Sequence, residues 1–180
     1  MFINYGYCYG CHQNVRSFLK GDWWRDDYVC GNFGSIPRER ALMYCVEKFF
    51  PDWCKMVIHE SSPNPRGPSS RFKSGAPHYI PTQYFPNRKS GLIYQWFRNE
   101  NLESLTFKDE SIDLHITQDV MEHIFDASKA FQEIARTLKS GGAHIFTTPL
   151  VNKIIQRWSV LREMNMGTLI NLFFRITRKI

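Results

Sequence analysis

The sequence predicts an α/β protein: a doubly wound parallel sheet with a small cysteine-containing module ahead of it. Three observations point to that fold class. Residues 112–149 read as strand, helix and strand in succession; a short apolar run, Met56-Val57-Ile58-His59, lies between a helical stretch and a Pro/Ser-rich loop; and the chain opens with Cys8-Tyr9-Gly10-Cys11.

The crossover unit comes first. Ile112-Asp113-Leu114-His115-Ile116-Thr117 alternates as a strand does, and Asp126 precedes a stretch in which Ala127, Ala130, Phe131, Ile134 and Leu138 share one helical face. Lys139 suits the negative end of that helix, and Gly141-Gly142 supplies a stop. Residues 143–148 then give the next strand, so the two strands are joined through a helix and run parallel. Upstream, residues 35–50 predict a helix capped by Ser35, with Pro37 in its first turn, Leu42, Cys45 or Val46, and Phe49 at helical spacing, and Pro51 as its end. The run at residues 56–59 suits a buried parallel strand, and His78-Tyr79-Ile80 a further one.

With 180 residues, 43% hydrophobic and 22% charged, the chain has room for one domain with a core plus a small appendage, and its composition is that of a folded protein. No run nears the roughly 18 apolar residues of a membrane span, and residues 1–10 lack the basic-then-apolar pattern of an export signal, so the expected location is cytoplasmic. Five cysteines, an odd number, then read as reduced thiols or metal ligands. The net charge of +6 is concentrated in residues 151–180, where six basic residues face one acidic residue. The body is nearly neutral, which argues against nucleic acid as its partner.

The runs Phe107-Lys108-Asp109-Glu110-Ser111-Ile112-Asp113-Leu114, Asp119-Val120-Met121-Glu122-His123-Ile124, and Ala130-Phe131-Gln132-Glu133-Ile134-Ala135-Arg136-Thr137-Leu138-Lys139-Ser140-Gly141-Gly142 resemble the fourth-to-fifth-strand block of the type 11 S-adenosylmethionine-dependent methyltransferases. The resemblance extends over residues 7–152, through Ile58-His59-Glu60-Ser61-Ser62-Pro63 and back to the cysteine module. It implies a Rossmann-like fold, S-adenosylmethionine as cofactor, and methyl transfer to an acceptor that no residue pattern specifies. Carried over residue by residue, it implies a pocket at Glu60, which opens the loop after the first strand, Gln83 at the ribose, Asn101 and Leu102 at the adenine, and Asp119 where donor methyl and acceptor meet. The loop after Glu60 departs from the family by lacking its usual glycines. His123 reads as a general base or as a structural residue at a helix terminus. Methyl transfer demands no catalytic residue, because the sulfonium is already activated.

The first two cysteines have the spacing of a zinc knuckle, and the resembling subgroup carries a zinc-ribbon-like start before Gly-Ser-x-Pro-Arg-Glu-Arg. Cys30 keeps one further ligand, while Phe33 stands where that subgroup has its last. Cys8, Cys11 and Cys30 are therefore metal candidates, with His12 adjacent to Cys11; the alternative is a vestigial ribbon held by Tyr7, Trp23, Trp24, Tyr28 and Phe33. The expected organisation is a ribbon-like module at 1–34, a methyltransferase-like unit at 35–152 that lacks the family's last strands, and a divergent basic tail at 153–180 whose Leu169, Ile170, Phe173, Phe174 and Ile176 predict a helix over the exposed sheet edge. Two functions remain open: a methyltransferase, or a non-catalytic remnant that keeps the sheet without the cofactor.

Overall fold

The computed structural model describes residues 2–149 and the backbone of residues 175–178. The amino-terminal module is an antiparallel sheet of β1 (Ile3–Cys8), β2 (Gln13–Leu19) and β3 (Tyr28–Cys30), with the single helical turn α1 (Trp24–Asp27) between the last two. Its own core is only Cys8, Val15 and Cys30, with Cys11 against them. So small an apolar core stabilises little by itself.

A seven-stranded sheet follows, in the order β10-β9-β8-β4-β5-β7-β6. Its strands are β4 (Ile58–Ser61), β5 (Tyr79–Gln83), β6 (Ile93–Tyr94), β7 (Phe97–Asn99), β8 (Ile112–Gln118), β9 (Leu138–Thr147) and β10 (Arg175–Arg178). The five central strands are parallel, and the two edge strands, β6 and β10, are antiparallel. The helices α2 (Pro37–Phe49) and α3 (Gly67–Gly75) cover one face, where Leu42, Met43, Val46 and Phe72 meet Ile58, Leu114, Ile116 and Ile145. On the other, α4 (Ala127–Thr137) lays Ala130 and Ile134 against Leu102, Leu105, Phe107 and Ile112. This is the predicted doubly wound α/β arrangement.

Local details differ from the sequence expectation, each for a physical reason. The N-cap of α2 is Ile36, not Ser35: Glu39 reaches back to the Ile36 N–H at 3.0 Å, which frees the Ser35 hydroxyl to face Cys8. Phe49 is exposed, and Met43 takes the buried place instead. β4 lies two residues beyond the start of the apolar run and ends in buried His59, Glu60 and Ser61, because its pairing with β5 and β8 is set by backbone hydrogen bonds. Helix α4 ends at Thr137, short of Gly141-Gly142. Leu138 already pairs with Ile112 in β9, and Lys139 bonds the Asp113 carboxylate at 2.8 Å instead of sitting at a helix end. In the tail, Ile176 belongs to a strand paired with Ile145, not to a helix; Leu169, Ile170, Phe173 and Phe174 lie outside the described residues.

A row of three buried histidines crosses the sheet. His59 is in register with His115, and His115 with His144. The Thr137 hydroxyl bonds the Glu133 carbonyl at 2.9 Å, so it must accept from His115 Nε2. Neutral His115 then accepts at Nδ1 from His59 Nδ1 at 2.7 Å, and His59 Nε2 accepts from the Thr82 hydroxyl at 2.8 Å. The hydrogen bonds thus run in one direction from β5 to α4.

Candidate functional site

Ligands of an open parallel sheet bind beyond the carboxyl ends of its strands. Here β4 and β8 are neighbours at the centre, and they end in Glu60-Ser61 and Thr117-Gln118. Glu60 is fully buried. Its Oε1 accepts from Ser69 Oγ at 2.7 Å and Gln118 Nε2 at 2.9 Å, and its Oε2 from the Tyr79 hydroxyl at 2.7 Å. Burial pushes the Glu60 carboxyl above the usual carboxylate range, against the pull of those three hydrogen bonds, and the Tyr79 phenol is raised by burial and by Glu60. A carboxylate offers about four acceptor positions, so three donors leave roughly one unused. Beside it, Gln118 Oε1 is buried and has no hydrogen-bond partner among the described residues. The centre of the sheet therefore ends in two buried acceptors, the Glu60 carboxyl group and the orphaned Gln118 oxygen, with a shortage of donors among the described residues.

The loop from β4 to α3 runs close by. Ser62 adopts φ +54°, a left-handed conformation that costs a side-chain-bearing residue, and Gly67 has φ +56°. A Cβ on Gly67 would lie 3.0 Å from Glu39 Oε2, so this glycine admits the buried Glu39 carboxylate, which also pairs with Arg66 at 2.9 Å.

The other expected pocket residues fall at neighbouring strand ends. Gln83 closes β5, half-buried, and its carbonyl accepts from the Glu100 N–H at 3.3 Å. Asn101 follows β7, half-buried, with its Oδ1 capping the Glu103 N–H at 3.0 Å. Leu102 is buried in the apolar layer under α4. Asp119 leaves β8 with φ +52°, and its carboxylate pairs with Arg25 and, at 3.1 Å, with Arg38 Nε; the Thr147 hydroxyl donates to it at 3.1 Å. Asp26 bonds both arginines, so the module and the start of α2 are tied to the carboxyl end of β8. His123 is exposed on a short 3-10 turn, Met121–His123.

In the module, the Sγ atoms of Cys8, Cys11 and Cys30 all lie within 4.8 Å of one another. Cys8 and Cys30 are buried and Cys11 half-buried. Burial raises the Cys8 thiol but is outweighed by hydrogen bonds from Ser35 and the Cys11 backbone, while burial and its two neighbours push Cys11 up to about 12. His12 turns away to pair with Glu47, so it does not join the cluster. Cys45 and Cys54 are outside it.

Two residues were not singled out as site residues from the sequence: Gln118, whose orphan oxygen adjoins Glu60, and Ser35, whose hydroxyl faces the thiols. Gln118 carried a signal, a polar side chain closing an otherwise apolar-patterned strand. Ser35 carried none, because a serine before Pro37 reads as a cap.

The family described as "Methyltransferase domain" matches residues 82–146. No curated protein sequence matches the chain. Among solved structures, the chain is similar to the YcgJ protein of Bacillus subtilis, with 17% identity, 58% of this chain and 50% of that one covered, and a TM-score of 0.46. A Mesorhizobium loti S-adenosylmethionine-dependent methyltransferase is similar at 17% identity, 60% and 53% coverage, and TM-score 0.46. A Haemonchus contortus phosphoethanolamine N-methyltransferase, solved with S-adenosylhomocysteine, is similar at 16% identity, 60% and 28% coverage, and TM-score 0.45. The chain spans about half the length of the first two structures. The block that matches the methyltransferase domain family, residues 82–146, runs from the end of β5 into β9.

Proposed function

We propose that residues 35–152 form an S-adenosylmethionine-dependent methyltransferase unit, with residues 1–34 as a metal-binding ribbon and residues 153–180 as a separate basic tail. One observation carries the cofactor reading: the buried Glu60 carboxylate, with an unused acceptor position, beside the partnerless Gln118 Oε1. A buried carboxylate without a countercharge and a buried acceptor without a donor both cost free energy, and an ammonium supplies the charge and the donors together. The amino-acid end of S-adenosylmethionine carries such a group. When bound, the cofactor supplies an activated methyl on its sulfonium. Gln83 and Asn101, at the ends of β5 and β7, serve the ribose and adenine through amide hydrogen bonds, and Leu102 supports the adenine side from the apolar layer. Asp119, held by Arg25 and Arg38, lines the side where the acceptor enters, so its role is to shape that entrance rather than to move a proton.

For the ribbon, three thiols within 4.8 Å fit zinc as donors, while structural zinc takes four ligands. A second functional reading, a non-catalytic binding module, draws support from the glycine-poor loop and from the three protein donors already on Glu60. Isothermal titration with S-adenosylmethionine and S-adenosylhomocysteine separates the two. Micromolar binding that is lost in Glu60→Ala supports the methyltransferase; a folded wild-type chain that binds neither ligand supports the non-catalytic module.

A further inference from the structure

We propose that Ser35 Oγ is the fourth ligand of a metal ion held by the Cys8, Cys11 and Cys30 thiolates. The inference rests on reading residues 1–34 as a metal ribbon and deepens it. Three observations lead to Ser35. Its hydroxyl lies 3.4 Å from Cys8 Sγ, and a tetrahedral zinc with sulfur at about 2.3 Å and oxygen at about 2.0 Å sets those two atoms roughly 3.5 Å apart. Ser35 is fully buried, and its carbonyl accepts from the Cys30 N–H at 2.9 Å, which fixes it beside a second cysteine. Finally, a Cβ on Gly10, inside the knuckle, would meet Ser35 Oγ at 2.8 Å, so the glycine lets the knuckle close directly over this hydroxyl.

The alternatives for the fourth position are turned elsewhere. Phe33 is apolar and 38% exposed, and His12 is engaged by Glu47. Cys11 and Cys30 are 3.7 Å apart, close to the spacing of roughly 3.8 Å expected for two thiolates on one tetrahedral zinc. A neutral hydroxyl also limits the buried charge: a divalent ion with three thiolates leaves one net negative charge, and a fourth thiolate would leave two. Phe33 stands where the resembling subgroup has its last cysteine, and an oxygen donor, Ser35, follows two residues later.

The test uses the full chain, stripped of metal and titrated with Co(II) without oxygen, in wild type, Ser35→Ala and Ser35→Cys. The expected wild-type result is one Co(II) per chain, with a thiolate charge-transfer band and the visible bands of a three-sulfur, one-oxygen tetrahedron. Ser35→Cys shifts those bands to longer wavelength and tightens Zn(II) competition by about tenfold or more; Ser35→Ala alters the bands and weakens binding by about tenfold or more. If wild type and Ser35→Cys both lack the charge-transfer band, the metal-ribbon reading fails and this proposal with it. If wild type shows the band but Ser35→Ala leaves the visible bands and affinity unchanged, the ribbon holds metal and Ser35 is not its ligand. Should Ser35→Ala fail to fold, Ser35→Cys decides: unchanged visible bands overturn the proposal.

Discussion

Glu60 is an acidic residue at the centre of a sheet, and among the described residues three neutral donors, and no cation, hold it. On the proposed reading such a group receives a ligand's ammonium, and a buried carboxylate without one costs the empty fold. Glu60→Gln keeps a carbonyl for Ser69 and Gln118, and the Tyr79 hydroxyl can rotate to accept from the new amide. We expect this variant to melt within a few degrees of wild type while binding S-adenosylhomocysteine at least about tenfold more weakly, one lost charge-assisted hydrogen bond being worth about 1.5–3 kcal/mol. Calorimetry and thermal melts on the same protein check both halves; a large fall in melting temperature would mean Glu60 is structural. At this scale the sequence indicated Glu60 through its place after an apolar run, and the cysteines through their spacing. It marked Gln118 only as a polar residue closing a strand and gave no sign of Ser35, because their contacts reach partners 58 and 27 residues away.

Among the elements, the unit formed by β8, α4 and β9 was the most legible, because alternation, an Asp cap and a helical stripe each leave a local trace. Asp126 accepts the Lys129 N–H at 3.0 Å, as a cap does. Asp126→Ala is expected to lower unfolding free energy by about 1 kcal/mol in urea titration, with Asp126→Ser restoring most of it. No change in Asp126→Ala would show that tertiary packing alone fixes this helix start. The elements misread were those where long-range pairing overrides local pattern. β4 ends in polar residues because β5 and β8 bond its backbone, and Leu138 leaves the helix because Ile112 pairs with it. Position 176, in the tail, is claimed by the edge of β9.

For the molecule as a whole, the histidine row makes stability depend on acid. Burial, with repulsion from His144 and Arg98, pulls His59 down to about 3; burial alone takes His144 to about 3; and burial with the other two histidines holds His115 well below its usual range. These groups are neutral when folded and take up protons near pH 6.5 when unfolded. Their contribution is therefore full above about pH 6.5 and is lost as pH falls toward 3. Between about pH 6.5 and 5, above the usual carboxylate range, the histidines lower unfolding free energy by up to about 1.4 kcal/mol per pH unit each, while Glu60, whose carboxyl is raised by burial, acts in the opposite direction. Urea titrations across that window check this, and His144→Leu should shallow the slope by about a third of its size. A flat profile would mean that the row is already protonated in the fold. Fold class was readable from the sequence because it follows from the order of strands and helices. The histidine row was not, since only sheet register brings residues 59, 115 and 144 side by side.

The central claim is that Glu60 and Gln118 hold the ammonium of the cofactor. The most direct measurement compares calorimetric binding of S-adenosylhomocysteine with that of 5′-methylthioadenosine, which lacks the amino-acid end, in wild type and Glu60→Gln. The account predicts a wild-type preference for S-adenosylhomocysteine of at least about tenfold that the substitution largely erases. Equal wild-type affinity for the two ligands, or a preference untouched by Glu60→Gln, would contradict it.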